Sequence, residues 1–398
     1  MRHSTEILIS GGGIAGLTAA AAFGAAGFSV VCVDPTAPVT DADADGADLR
    51  TTAFLQPAAA TLAAAGLWER LAPFAAPLQI MRIVDAGGAT PEPRLVKDFD
   101  ASEISDQPFG WNLPNWLLRR EMVARLADLP NVIFRPGVGF ARLLTRETEA
   151  LVTLTDGTTI SCQLLIAADG RASPVREAAG IGVRTMRYGQ KALAFAVTHA
   201  IPHHNVSTEV HRSGGPFTLV PLPDRAGHPA SAVVWMDKGP EIARLAALPD
   251  AAFNEEMTQR SAQVLGPLTL ASRRTVWPII SQMADRMSGT RTALVAEAAH
   301  VMPPIGAQGL NMSLADIATL LDLASEHRHD IGAAAVLDTY HRKRHLDVQA
   351  RVVGIDLLNR ASMAGSPALR DLRAKALEAL YFATPLRKTL MRTGLGLR

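Results

Sequence analysis

The chain has almost no excess charge: 39 Lys and Arg stand against 38 Asp and Glu, a formal net of +1 over 398 residues. Such a balance lacks the basic footprint that a phosphate backbone requires, which argues against nucleic acid as the main partner. Cysteine is scarce too. The two residues, Cys32 and Cys162, sit in or beside apolar runs. They make neither a disulfide framework nor a metal site, so a reducing cytoplasm is the expected compartment. Aromatics contribute only 5% and charged residues 19%, while hydrophobic residues reach 48%. That apolar share excludes disorder, and the length suits a large core in two interleaved domains. The sequence has no internal repeat and no low-complexity linker.

One further absence is local. No charged residue occurs between Glu6 and Asp34. On hydropathy alone the run is a transmembrane candidate, and Arg2 and His3 ahead of it imitate a signal peptide. Its glycines, with Ser10 and Thr18, suit a tight turn better than a lipid-facing helix. Ile7-Leu8-Ile9 reads as a short buried strand. Gly11-Gly12-Gly13-Ile14-Ala15-Gly16 then satisfies GxGxxG, Leu17 to Ala26 reads as an Ala-rich helix, and Phe28 to Val33 as a second strand ending at Asp34. This is the spacing of a βαβ dinucleotide-binding unit. Gly11 allows the sharp turn, Gly13 lets backbone approach a pyrophosphate, and Gly16 lets helix and strand pack closely. The helix N-terminus offers N–H groups to phosphates, and Asp34 can accept from an adenosine ribose. The segment does not distinguish FAD from NAD.

Downstream, Ala53 to Leu71 reads as a helix with a break at Pro57, followed by Pro-rich irregular sequence to about Pro108. Leu117 to Asp128 reads as an amphipathic helix. Asp156-Gly157 marks a hairpin between Leu151–Leu154 and Thr159-Ile160, and Leu164–Ala168 is a buried strand stopping at Asp169-Gly170. Strand-like runs at Leu193–Thr198, Ser207–His211, Phe217–Pro221 and Ser231–Trp235 predict a second, mostly antiparallel sheet, with a helix near Ala251–Val264. Ala293–Val295 is a further strand. Leu310–Leu323, Ala333–Asn359 and the basic C-terminus read as helical.

Four motifs in order resemble one family. Asp48-Leu49-Arg50-Thr51-Thr52-Ala53 is similar to the DxRxxA of the ubiquinone-biosynthesis flavin hydroxylases, which belong to the FAD-dependent aromatic hydroxylases of the para-hydroxybenzoate hydroxylase type. Asp169-Gly170-Arg171, with Ser173 and Arg176, resembles the DG motif of that superfamily. Tyr188-Gly189-Gln190 resembles the YGQ of the ubiquinone subgroup. Ala296-Glu297-Ala298-Ala299-His300 and Pro304-Ile305-Gly306-Ala307-Gln308-Gly309-Leu310-Asn311 resemble the second FAD fingerprint, with Asp316 on the next helix. The resemblance spans about 300 residues in the family's order.

It implies an α/β fold: a Rossmann-like FAD-binding domain (1–75, 109–185 and 285–360), an inserted mostly antiparallel substrate sheet (76–108 and 186–284) and a helical tail (361–398). It implies that Pro304–Asn311 faces the flavin pyrimidine edge, that Glu297 bonds the ribityl chain, and that Arg50 lies near the ribityl–pyrophosphate region. Arg119 is a candidate for the superfamily's other flavin-side arginine, although Asn115–Leu118 also fits a stretch of the subgroup. The sequence departs twice: Ala296-Glu297 replaces Gly-Asp, and Gly306-Ala307 replaces Ala-Gly. Both bear on FAD affinity and loop geometry.

Only one GxGxxG is present, which favours transient NAD(P)H binding over a second Rossmann domain. As the resemblance implies, NAD(P)H reduces the flavin and one atom of O2 passes to an electron-rich phenol ring. No catalytic side chain and no metal site are identified. His300 reads as a packed residue rather than a base, His203-His204 as solvent-exposed, and Trp111, Trp116 and Trp235 as core. The implied substrate is a polyprenylated phenol of ubiquinone synthesis. Hydroxylation of another small aromatic, or non-catalytic membership of a quinone-synthesis complex, stays open. The tail with Arg387, Lys388, Arg392 and Arg398 reads either as an ordinary helix end or as a peripheral contact with the inner membrane.

Overall fold

The computed structural model describes residues 2–88, 90, 92–363 and 365–396. Five parallel strands form its centre, in the order Thr292–Leu294, Thr159–Ala167, Arg2–Ser10, Val30–Asp34 and Val132–Pro136. Residues 7–9, 30–33 and 164–167 of the inner strands read as continuous apolar runs because both faces are covered. Helix Ile14–Ala25 packs on one face and is buried along almost its whole length, between the sheet and helices Asn115–Ala127 and Gln308–Glu326. Small residues make that possible: a Cβ on Gly24 would stand 2.3 Å from a Val132 methyl. The uncharged N-terminal run is therefore a strand–helix–strand unit at the core. Among the described residues, no helix is long and apolar enough to cross a membrane. Both cysteines are buried and unbridged, and burial pushes the Cys162 thiol up to about 12.

The hairpin at Asp156-Gly157 joins Ala150–Leu154 to Thr159–Ala167, with Gly157 at φ 82. A second sheet of nine strands is centred on Val183–His199, which pairs with His228–Lys238 and Thr275–Ala284. Helices Gly239–Ala247 and Asp250–Arg260 cover a separate core that includes Phe195, Phe217, Trp235 and Phe253.

Two expectations are corrected. Residues 53–71 are not one helix: Thr51–Leu55 is a strand, followed by helices Gln56–Ala64 and Trp68–Leu71. Asn311 accepts from Leu55 N at 2.8 Å and donates to Ala53 O at 2.7 Å, so a distant side chain completes this strand's outer edge. Pro57 stands in the first turn, where its missing N–H costs nothing. The stretch to Pro108 is also not irregular. Ala76–Leu78 joins Thr51–Leu55 and Gly110–Pro114 in a three-stranded sheet, while Ile80–Asp85 and Leu95–Asp100 extend the nine-stranded one. Arg82 and Asp98, opposite one another there, form two hydrogen bonds of 2.7 Å.

The Tyr188-Gly189-Gln190 motif docks the long helix Ala334–Met363 onto the second sheet. Tyr188 Oη donates to Asp356 at 2.7 Å, and Gln190 accepts from Asn359 Nδ2 at 2.9 Å while donating to Gly214 O at 2.7 Å. Asn359 is fully buried and its Oδ1 has no partner among the described residues. Gln190→Ala would leave the buried Asn359 amide with only the weak acceptor Met363 Sδ, 3.9 Å from Nδ2, a cost of about 1–3 kcal/mol. A lower urea midpoint with an unchanged slope is the expected result of equilibrium unfolding.

Candidate active site

The C-terminal ends of the parallel strands release the chain at one edge, where α/β sheets place their ligands. Arg2–Ser10 runs into Gly11, Val30–Asp34 ends on Asp34, Thr159–Ala167 runs into Ala168-Asp169, and Thr292–Leu294 precedes Ala296-Glu297. Three of the motifs read from sequence therefore converge.

The glycine turn is fixed sterically. Gly11 has φ +111, and a Cβ there would meet Ala168 O at 2.3 Å; one on Gly16 would meet Gly11 O at 1.8 Å. Gly13 caps helix Ile14–Ala25 without a side-chain bond, no acid stands in the first turn, and a Cβ on Gly13 would meet nothing within 4 Å. The first turn, with Ile14 and Ala15, is thus an open, electropositive N-terminus. Asp34 closes this loop from outside: Oδ2 accepts from Gly12 N at 2.5 Å and Oδ1 from Thr36 N at 2.8 Å.

Across the edge, Arg50 and Arg119 meet on one carboxylate. Asp48 accepts from Arg50 Nε and Nη2 at 2.8 and 2.7 Å and from Asn115 Nδ2 at 3.0 Å, with Arg119 Nη2 at 3.5 Å. Burial opposes charge on Asp48, but these three neighbours hold its carboxyl below the usual range. Two guanidinium groups thus share the Asp48 carboxylate. Asp48 was visible two residues before Arg50, but only as part of a motif. Trp277, whose ring lies 5.5 Å from the Arg50 guanidinium, gave no sequence signal.

Asp169 Oδ2 accepts from Val175 N at 3.2 Å, whereas its Oδ1 is buried without a partner among the described residues. Burial pushes this carboxyl up. Glu297 is exposed on the short turn Ala296–Ala298, and its charge acts on Arg50.

The Pro304–Asn311 loop leads into helix Gln308–Glu326, whose N-terminus has no side-chain cap and no acid in its first turn. Pro304, Gly306 and Gly309 are exposed at its rim, with Ala307 and Leu310 partly so. Gln308 is held from three sides: it accepts from Arg351 Nη1 at 2.6 Å and donates to Gly306 O at 2.9 Å and Gly394 O at 3.0 Å. Asn311 donates to Ala307 O at 2.5 Å.

The two sequence departures share a conformation. Ala296 and Ala307 both have left-handed backbone, φ 56 and 55, where glycine would be unstrained. Each costs about 1–2 kcal/mol. At Ala296 the cost is offset locally, because its N–H donates to Asp316 Oδ2 at 3.1 Å, a charge-assisted bond worth about 1.5–3 kcal/mol. Asp316 is fully buried and also binds His300 Nε2 at 2.7 Å and Arg344 Nε at 2.8 Å. His300 is thus a packed, hydrogen-bonded residue. Arg344 was missed in the sequence, although Arg344, Asp347 and Arg351 have the helical spacing of paired charges. His203 also departs from expectation: it is half-buried and its ring bonds Leu222 O at 3.0 Å, while His204 is exposed. Among the described residues, no cluster of His, Cys, Asp or Glu could hold a metal.

This arrangement can be compared with known proteins. The FAD binding domain family model matches residues 4–354. The chain belongs to that family. Within it, the chain is 32% identical over 394 residues to the ubiquinone hydroxylase UbiL of Rhodospirillum rubrum, covering 98% of this chain and 89% of that protein. It is 26% identical to the 3-demethoxyubiquinol 3-hydroxylase of Escherichia coli K12, covering 99% of each. The p-nitrophenol 4-monooxygenase PnpA of Pseudomonas putida superposes with a TM-score of 0.79 at 19% identity, over 100% of this chain and 99% of that one, which shows the shared fold. The family makes this a flavin-dependent hydroxylase, and the residues present fit FAD: an uncapped helix end opens beside Gly13, and buried Asp169 Oδ1 has no donor among the described residues.

Asp316 sets a pH dependence. Burial alone would raise its carboxyl, but His300 and Arg344 hold it below the unfolded value of about 3.9. The stabilisation is therefore complete above that value and is lost as pH falls through the lower folded value. Asp316→Asn should cost about 3–5 kcal/mol at neutral pH. The gap to wild type should narrow below about pH 4 in pH-resolved urea melts.

Proposed function

We propose that this chain is an NAD(P)H- and O2-using monooxygenase that hydroxylates the aromatic ring of a polyprenylated phenol in ubiquinone biosynthesis. The observation that carries the reading is the similarity, over 98% of the chain, to a protein named for ubiquinone hydroxylation.

In this reading Gly11, Gly13, Ile14, Ala15 and Gly16 hold the FAD pyrophosphate, and Asp34 serves the adenosine ribose. Arg50 and Arg119 stand on the ribityl–pyrophosphate side, with Asp169 and Glu297 at the ribityl chain. Pro304, Gly306, Ala307, Gln308, Gly309, Leu310 and Asn311 border the pyrimidine edge. Bound there, FAD supplies the oxygen chemistry that no side chain can perform. The protein's part is charge and orientation. The uncapped N-terminus of Gln308–Glu326 presents N–H donors where negative charge would gather on reduction. Gln308 and Asn311 keep that N-terminus in place, and the Arg50 and Arg119 guanidinium groups suit the diphosphate.

Gly13→Glu places a negative charge at the uncapped helix end, in space that accepts a side chain. It should melt like the wild type yet bind FAD roughly tenfold or more weakly, a loss of at least about 1.4 kcal/mol by calorimetric titration. The function itself is tested by incubating flavin-loaded protein with NAD(P)H, oxygen and a polyprenylated phenol. Mass spectrometry should show a product heavier by one oxygen. Unchanged phenol, together with normal quinone levels in a deletion strain, would sink the reading.

A further inference from the structure

The last two helices, Pro367–Phe382 and Thr384–Leu395, bury none of their residues. Five of their large apolar side chains face outward instead: Leu369, Leu372 and Phe382 are 53%, 62% and 69% exposed, and Leu386 and Leu390 52% and 46%. Leu369 and Leu372 share a helical face with Ala376 and Ala379, and Leu386 and Leu390 stand one turn apart. Scattered exposed apolar side chains need no explanation, but four leucines and a phenylalanine on two successive helices without a core of their own mark a surface that something covers.

Charge indicates what covers it. Residues 367–398 contain seven Lys and Arg against two Asp and Glu, although the whole chain is only +1, so the rest of the molecule is net negative. Arg370 and Arg373 lie against the body, and Arg373 and Arg387 are tied to Asp85 and Glu103. Among the described residues, Lys375, Lys388 and Arg392 make no ion pair. Arg398 lies outside the described residues. Apolar side chains beside uncommitted cations match the two layers of an anionic bilayer surface: leucines enter the acyl boundary while long basic side chains reach the phosphates.

We propose that helices Pro367–Phe382 and Thr384–Leu395 dock the protein peripherally on an anionic lipid bilayer. The same tail reaches the candidate active site, where Gly394 O accepts from Gln308 and a Cβ on Gly396 would meet Pro57 at 3.7 Å. Docking therefore brings the Pro304–Asn311 loop to the lipid boundary. This consequence rests on the hydroxylase reading, because a polyprenylated phenol partitions into lipid; the docking itself does not.

The test uses full-length flavin-loaded protein in sedimentation with vesicles of phosphatidylcholine containing phosphatidylglycerol, and with phosphatidylcholine alone. Wild type should sediment with the anionic vesicles at least roughly tenfold more than with the neutral ones, and less at high salt. A Leu372→Glu, Leu390→Glu double variant should stay in the supernatant with unchanged flavin absorbance and melting midpoint. Wild-type protein that ignores both vesicles, or a double variant that sediments as well as wild type, overturns the proposal. So does light scattering in which wild type is a dimer, the double variant a monomer, and neither binds vesicles, since that assigns the face to a second copy. Protein that sediments as expected but hydroxylates no prenylated phenol would keep the docking and remove the function.

Discussion

One buried carboxylate organises the site. Asp316 has no contact with water, and its two oxygens bind the N–H of Ala296, the ring of His300 and the guanidinium of Arg344. Those partners come from the turn after the last parallel strand, from the short strand that follows it, and from the long helix Ala334–Met363. Asp316 itself stands two turns into Gln308–Glu326, the helix whose uncapped end borders the site. A carboxylate in that position would be prohibitively costly without its cationic partner. With it, the helix, the turn and the C-terminal scaffold are held in a single arrangement.

The rest of the site follows from that anchoring. Left-handed alanine is an uncommon choice at both Ala296 and Ala307, and each is held by a nearby hydrogen bond: the Asp316 carboxylate on one, the Asn311 amide on the other. Asn311 in turn closes the edge of Thr51–Leu55, which leads back to Arg50 and Asp48. With Ala296-Glu297 in place of Gly-Asp, the first residue keeps a left-handed backbone that glycine would adopt without strain, and the carboxylate arm is one methylene longer.

Much of this was legible in the sequence. The βαβ unit, the DG turn and the Pro304–Asn311 loop are local patterns: nearby backbone demands Gly11 and Gly16, and a positive φ favours glycine at 170 and 306, so they survive reading one residue at a time. What escaped was non-local. Thr51–Leu55 is a strand because Gly110–Pro114 pairs with it and Asn311, some 256 positions away, bonds its backbone, whereas Ala-rich propensity next to it pointed to helix. Ile80–Asp85 looked irregular among prolines because its partners, Val206–His211 and Leu95–Asp100, become neighbours only in the fold. Tyr188 and Gln190 were read as a family mark; their job of seating Ala334–Met363 needed the positions of Asp356 and Asn359.

The central claim is that this edge of the sheet serves oxygen transfer to an aromatic ring. Turnover of flavin-loaded protein with a polyprenylated phenol under oxygen-18 gas tests it most directly. One heavy oxygen atom in the ring product is the expected result. A product labelled only from water, or NAD(P)H oxidised with no label entering the ring, would contradict it.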